Sequence, residues 1–362
     1  MSFPWPDVGT PIAQVATPMP LIDESRLAAN IARVQDYCDA HGKTFRPHIK
    51  THKIPAIAEQ QIEAGAIGIN CQKVTEAEVF ADAGIDDILI TYNILGETKL
   101  SKLKLLNDRV KRLTVVADSA VTIAGLAQSF TAERPLNVLI ECDTGGKRCG
   151  VQTPEQVVAL AEQITAAEGL KFNGILTYPS VGGAEATEKF MQQSVTLLAE
   201  KGIECLVRSS GGSPDLFLAH LVPTATEHRA GTYVYNDRSM VRAGHCSADD
   251  LAMTVLATVV SRPAKGRAIL DSGSKALTSD LLGFDDYGAV LGFDGAKITS
   301  LSEEHAVVDI SQCEDRFPQI GETVRVIPNH TCVITNLFDR IVFHQDGVVT
   351  RVEKVLARGT VW

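Results

Sequence analysis

The sequence predicts an α/β protein: a (β/α)8 barrel of the TIM type followed by a smaller all-β domain. Three observations carry this. Between Gln14 and about Tyr235, short apolar runs alternate with amphipathic stretches of helical period. That span of about 220 residues is the size of such a barrel. From about Leu251 the texture changes to short β-branched runs separated by turn residues such as Asp294-Gly295 and Asp346-Gly347.

Barrel strands are expected at 19–21, 44–46, 66–69, 87–91, 113–117, 137–141, 172–177 and 204–209. Helical patterns fall between them, at 24–41, 54–64, 73–83, 119–130, 154–167 and 184–201. A doubly wound open sheet is the competing architecture. It requires a Gly-x-Gly-x-x-Gly loop after the first strand, and the sequence has none. In the second domain, strands are expected at 253–261, 267–270, 305–310, 323–328, 340–343 and 348–355. The expected division is a barrel over 14–240 and a β-domain over 241–362, with residues 1–13 packed on the latter.

Composition narrows the function. The chain has 362 residues, 45% hydrophobic and 22% charged, as in ordinary globular proteins. A formal net charge of -10 argues against a nucleic-acid or anionic-membrane partner. No apolar run approaches a membrane span, and the N-terminus lacks a basic segment followed by an apolar one. The expectation is a cytoplasmic protein acting on a small molecule. Eight cysteines without a framework spacing read as reduced, buried small hydrophobes; only Cys332 has a neighbour that suggests chemistry.

That chemistry gathers at a few places. Arg46-Pro47-His48-Ile49-Lys50-Thr51-His52-Lys53 closes a strand and precedes a helix, so Lys50 sits where α/β folds collect reactive groups. Ser210-Gly211-Gly212-Ser213 follows the last expected barrel strand, a position at which barrels bind phosphate. His330-Thr331-Cys332 follows an expected strand. On a continued strand, residues two apart face one side, so imidazole and thiol could share one ion, and that donor pair suits zinc.

These stretches occur in order with Cys71-Gln72-Lys73, Lys147-Arg148-Cys149-Gly150-Val151, Gly231-Thr232-Tyr233 and Pro328-Asn329-His330-Thr331-Cys332. Over nearly its whole length the chain thereby resembles fold-type III pyridoxal-phosphate enzymes, in the branch of D-threonine aldolases and D-serine dehydratases. The resemblance implies that Lys50 bonds pyridoxal phosphate (PLP), with Lys53 the rival. Basic neighbours and little water favour the neutral amine such a lysine needs. It further implies a phosphate cradle of Ser210, Gly211, Gly212, Ser213 and Tyr233. Arg148 would meet the cofactor's phenolic oxygen, Tyr178 the pyridine nitrogen, and Gln72 a polar edge. His330 and Cys332 would hold a divalent cation: zinc or manganese, with magnesium as the harder alternative. Lys275, in Asp271-Ser272-Gly273-Ser274-Lys275, would pair with the substrate carboxylate or form a surface salt bridge. A homodimer is implied as well.

Two departures bear on the activity. Aldolases of the branch often carry His-x-Asp where this chain has His-x-Cys, the form of its D-serine dehydratases. Nor is there a histidine in Tyr178-Pro179-Ser180-Val181-Gly182-Gly183-Ala184, where relatives often supply a base; His52 and His305 are the substitutes. The leading expectation is a metal-dependent lyase cleaving a β-hydroxy-D-amino acid, such as D-threonine, to glycine and an aldehyde. Dehydration to a 2-oxo acid and ammonia is the alternative. A non-catalytic PLP-binding protein ranks third, because such proteins resemble the barrel alone.

Overall fold

The computed structural model of the protein describes residues 5–314 and 316–362. The chain divides into two compact units. A barrel unit comprises Arg33–Lys50, Pro55–Gly231 and Gly359–Trp362; a β unit comprises the N-terminal stretch to Ala32, Thr51–Ile54 and Thr232–Arg358.

The elements begin with β1 (Met19–Asp23) and α1 (Glu24–Ala40). The barrel unit then runs β2 (Thr44–Phe45), α2 (Pro55–Glu63), β3 (Ile69–Cys71), α3 (Val74–Asp82), β4 (Asp87–Asn93), α4 (Glu97–Arg109) and β5 (Arg112–Ala117). It continues with α5 (Ala120–Ser129), β6 (Leu136–Cys142), α6 (Pro154–Ala166), β7 (Leu170–Thr177), α7 (Ala184–Glu200), β8 (Val207–Ser210) and β9 (Glu227–His228). Two of the barrel helices start at side-chain caps. Ser119 accepts from the Thr122 amide at α5. At α6, Thr153 and Gln156 form a reciprocal capping box with Pro154 in the first turn.

Eight parallel strands form the order β2-β9-β8-β7-β6-β5-β4-β3. The seam between β2 and β3 carries no ladder. It is spanned by an isolated His48–Asn70 bridge and by the bonds Ile67 N to Phe45 O (3.0 Å) and Asn70 N to Pro47 O (2.8 Å). The barrel is thus incompletely closed. Leu89, Val116, Leu139 and Leu176, all buried, form one apolar cluster across β4–β7 with Val207 of β8.

The β unit adds α8 (Arg238–Arg242), β10 (Met253–Ala264), β11 (Arg267–Leu270), β12 (Gly288–Val290), β13 (Lys297–Leu301) and β14 (Ala306–Asp309). It ends with β15 (Thr323–Pro328), α9 (Thr331–Leu337), β16 (Arg340–Gln345) and β17 (Val348–Lys354). Its nine strands lie in the order β11-β14-β13-β12-β15-β10-β1-β16-β17, antiparallel except for β1 beside β16. Val15, Met19, Leu21, Leu256, Val342 and Val349 form a buried cluster there. Residues 5–13 run along the last hairpin, with Gly9 N to Val349 O at 2.8 Å and Ile12 N to Gly347 O at 2.9 Å. The expectation for residues 1–4 lies outside the described residues.

Three expectations are corrected. The run at 19–21 is not a barrel strand: β1 pairs with β10 and β16, and its nearly continuous burial fits a central strand of either sheet. The eighth barrel strand is instead β9, two charged or polar residues that no hydrophobic run announces. Lys50 therefore follows the first barrel strand in chain order, not the second. The third correction is local to the proposed metal pair. Strand β15 stops at Pro328, and His330 is the extended N-cap of α9. The second-domain pattern also omitted β12 and β13, which are short or polar on alternate positions. Among the described residues no helix is long and apolar enough to cross a membrane.

Candidate active site

Lys50 lies on a single 3-10 turn, Ile49–Thr51, directly after β2. The turn is tied down by backbone: His48 N donates to Ala230 O at 2.8 Å. The His48 ring is also wired. Its Nδ1 accepts from Lys50 N at 3.4 Å, and its Nε2 meets Gln72 Oε1 at 3.0 Å. Gln72 Nε2 in turn donates to Thr91 O at 3.0 Å. This pattern fits a neutral His48 with its proton on Nε2. Both ends of the Gln72 amide are thus engaged with protein groups. Lys53 differs from Lys50: it is buried, left-handed at φ 55°, and its ammonium donates to Ala357 O at 3.3 Å. His52 is fully buried with its ring against the Ile54 backbone.

Beneath the strand ends the barrel strands carry a buried polar chain. Arg46 donates to Glu227 Oε2 and Asp87 Oδ1, both at 2.9 Å. Ser209 Oγ donates to Glu227 Oε1 at 2.5 Å, and Arg229 donates to Ser209 Oγ at 3.1 Å and to Thr177 O at 2.5 Å. Burial opposes the charge on Arg46, but Glu227 and Asp87 outweigh it and hold its pKa up. Arg229 is pushed down to about 10 by burial, against the pull of Glu227 and Glu141. It stays charged at neutral pH. Glu227 of the polar strand β9 completes this network, which accounts for a charged residue at that buried position.

The glycine turn follows β8. Gly211 has φ +117°, and a Cβ there would lie 2.3 Å from the His228 ring; a Cβ on Gly212 would lie 2.4 Å from the Tyr178 ring. Only glycine fits at either place. Ser210 and Ser213 are buried, and Ser213 Oγ accepts from Gly231 N at 3.3 Å. His228 is pushed down to about 3 by burial, then by Arg229 and Lys43, so it is neutral. Tyr178, after β7, is 38% exposed, and Arg148 lies over its ring at 4.8 Å. Arg148 also stands 3.9 Å from the buried Glu141. Burial raises the Glu141 pKa, with Arg148 and Arg229 opposing.

In the β unit, His330 and Cys332 meet although they are not on a strand. The helical turn from His330 into α9 brings the imidazole and the thiol close enough to interact. His330 Nδ1 lies 2.7 Å from Asp280 Oδ2. Thr51 Oγ1 is 3.2 Å from Cys332 Sγ. Burial pushes the His330 imidazole down, but Cys332, Asp280 and Asp237 override it and hold the pKa up at about 9. Asp237 accepts from Met240 N at 3.1 Å and Thr331 N at 3.3 Å, capping α8 and α9 together. Tyr233 is buried on the turn Thr232–Val234. Lys275 forms an exposed ion pair with Glu304 at 2.8 Å, and His305 is exposed beside the β13–β14 turn.

The residues present fit a phosphorylated aldehyde cofactor and a cation. A turn without side chains, flanked by two hydroxyls, suits a phosphate. Arg148, spread over Tyr178, suits an anionic oxygen on a flat ring. Imidazole with thiol is a zinc-type donor set. Sequence reasoning missed Asp280, Asp237, Glu141 and Arg229, whose contacts come from residues distant in the chain. It also missed Asp118, Glu141 and Cys149, whose possible ligand atoms lie within 4.8 Å of one another, next to Arg148. Of the eight cysteines five are buried, whereas Cys149 is exposed and Cys246 and Cys332 are partly so.

Comparison with known proteins shows the family. The chain belongs to the alanine racemase N-terminal domain family: the model "Alanine racemase, N-terminal domain" matches residues 22–239, and "Putative serine dehydratase domain" matches residues 252–344. Within that fold-type III group it sits with D-threonine aldolases and hydroxyaspartate lyases. It is 34% identical to a D-threonine aldolase from Arthrobacter sp, over 97% of this chain and 95% of that protein. It is 33% identical to the D-threo-3-hydroxyaspartate dehydratase of Delftia sp. (strain HT23), over 87% and 90%. The crystal structure of D-threonine aldolase from Filomicrobium marinum superposes with a TM-score of 0.92 at 30% identity, covering 99% of this chain and 100% of that one.

Proposed function

We propose that the chain is a PLP- and metal-dependent lyase that cleaves a β-hydroxy-D-amino acid of the D-threonine type to glycine and an aldehyde. One observation carries the reading: nearly end-to-end similarity to D-threonine aldolases. When bound, the cofactor supplies an electron sink and the cation a Lewis acid.

The chain's own residues supply the rest. Lys50 bonds the cofactor, and its side-chain nitrogen, once the substrate frees it, is the group that would deliver a proton to the α-carbon after cleavage. Ser210 to Ser213 and Tyr233 bind the phosphate, Arg148 the phenolic oxygen, and Tyr178 packs at the pyridine edge. Gln72 holds His48, which accepts from the Lys50 amide. His330 and Cys332 hold the cation, zinc or manganese. The protein acts as a cytoplasmic homodimer, which light scattering of the purified chain tests.

A second reading is dehydration to a 2-oxo acid and ammonia. Its support is Cys332 itself, together with the Delftia dehydratase, one cysteine-to-alanine variant of which is described in a metal-free form. Incubation with D-threonine, PLP and Zn²⁺ or Mn²⁺ decides. Glycine and acetaldehyde are expected; 2-oxobutanoate and ammonia establish the second reading. Turnover to neither, with cofactor bound, refutes both for this substrate.

A further inference from the structure

We infer that Asp280 is a positioning residue for the metal: it fixes the tautomer and aim of His330, leaving the ring's other nitrogen as the ligand. The inference rests on the metal-dependent reading above.

The contact itself is short, 2.7 Å from His330 Nδ1 to Asp280 Oδ2. Alone, a half-exposed aspartate–histidine contact means little. What distinguishes this one is the scaffold that delivers it. Asp280 stands 50 residues before His330 in the chain, and its loop is fastened to the residue immediately preceding His330. The fully buried Asn329 donates through Nδ2 to Asp286 O at 2.6 Å and to Asp280 O at 3.4 Å. Its Oδ1 accepts from Arg238 Nη1 at 2.7 Å. Arg238 pairs with Asp286 and lies 4.3 Å over Phe284, so both ends of the loop are held. Asp280 N also bonds its own loop, at Thr278 Oγ1, 3.0 Å. Buried polar groups are costly unless paired, so such a set marks a geometry that is specified rather than incidental.

The chemistry follows. A carboxylate accepting the Nδ1 proton keeps that proton in place, makes the opposite nitrogen the donor atom, and raises its basicity toward a cation. Asp280 stands behind the imidazole rather than beside it. The one group of three or more possible ligands with mutually close atoms among the described residues is Asp118, Glu141 and Cys149, and it excludes Asp280.

The test is Zn²⁺ affinity of the full-length protein, measured by chelator competition without substrate. Asp280→Ala is expected to raise the Zn²⁺ dissociation constant by about 10- to 100-fold. Asp280→Asn, which keeps an acceptor but loses the charge, should show a smaller loss, and it carries the test if the alanine variant fails to fold. Cobalt(II) substitution adds a readout: the thiolate charge-transfer band should persist in both variants while the ligand-field bands shift. Folded variants with wild-type Zn²⁺ affinity and wild-type cobalt spectra overturn the role of Asp280 alone. A wild-type protein that binds no Zn²⁺, or binds it equally well as His330→Ala, overturns the metal reading and this inference with it.

Discussion

Lys50 and the His330–Cys332 pair are held by different means. Around Lys50 the contacts are backbone and neutral groups: the end of β2, the Ala230 carbonyl, and the His48–Gln72–Thr91 chain. Around His330 they are charges, with Asp280 on the ring and Asp237 capping the helix that carries Cys332. Each suits the role proposed for it. A lysine that must lose its proton is best placed by groups that do not stabilise the ammonium, whereas a cation site gains from nearby carboxylates. The two histidines follow the same division: burial holds the pKa of His228 in the barrel down, whereas Cys332, Asp280 and Asp237 hold that of His330 up.

Substitutions can break this comparison. The largest effect is expected of Lys50→Ala, which should abolish the visible absorbance of bound PLP and lower turnover on the order of 10³-fold or more. Unchanged absorbance, or borohydride labelling at Lys53 in the wild type, would shift the role away from Lys50. His330→Ala should spare that absorbance but lose metal-dependent turnover; full activity in chelator-treated wild type would contradict it.

Stability comes next. Arg46→Ala leaves the buried Glu227 without its ionic partner, while the partly exposed Asp87 keeps Arg112, and should cost about 3–5 kcal/mol in urea unfolding. Adding Glu227→Gln should restore part of it. An unchanged urea midpoint would mean that the barrel's polar chain is dispensable.

Smaller still is the pH response. His228, and His344 in the β unit, have folded pKa values depressed by burial below the unfolded value near 6.5. Their contribution is therefore complete above pH 6.5 and declines as pH falls toward about 3, because the unfolded chain then binds more protons. Urea midpoints should be lower at pH 5 than at pH 7.5. Equal midpoints would count against two buried neutral imidazoles. Least affected should be Lys275→Ala, an exposed pair whose loss leaves the melting temperature unchanged.

How much of this was legible in sequence follows from how far each contact reaches. The alternation of apolar and helical stretches revealed seven of the eight parallel strands, most plainly β5 and β6, whose nearly continuous burial reads as apolar runs. It missed Glu227–His228, whose side chains face partners rather than lipid-like packing, and it could not say to which sheet Met19–Asp23 belonged. The glycine turn and the Lys50 stretch were visible because local backbone demands leave local marks. The geometry of His330 and Cys332 was not: a strand and a helix N-cap both bring such residues together, and only the observed φ and ψ distinguish them. Asp280 left no mark at all near the residue it touches.

The position of β1 has a consequence for synthesis. This strand leaves the ribosome well before either of its neighbours, because β10 and β16 both lie far further along the chain. Its apolar edges must wait unpaired while the intervening chain is made. A chain cut short before β16 would thus leave one edge of β1 without its partner, and aggregation of nascent chains is expected to respond most to substitutions at Leu21 and Ile22.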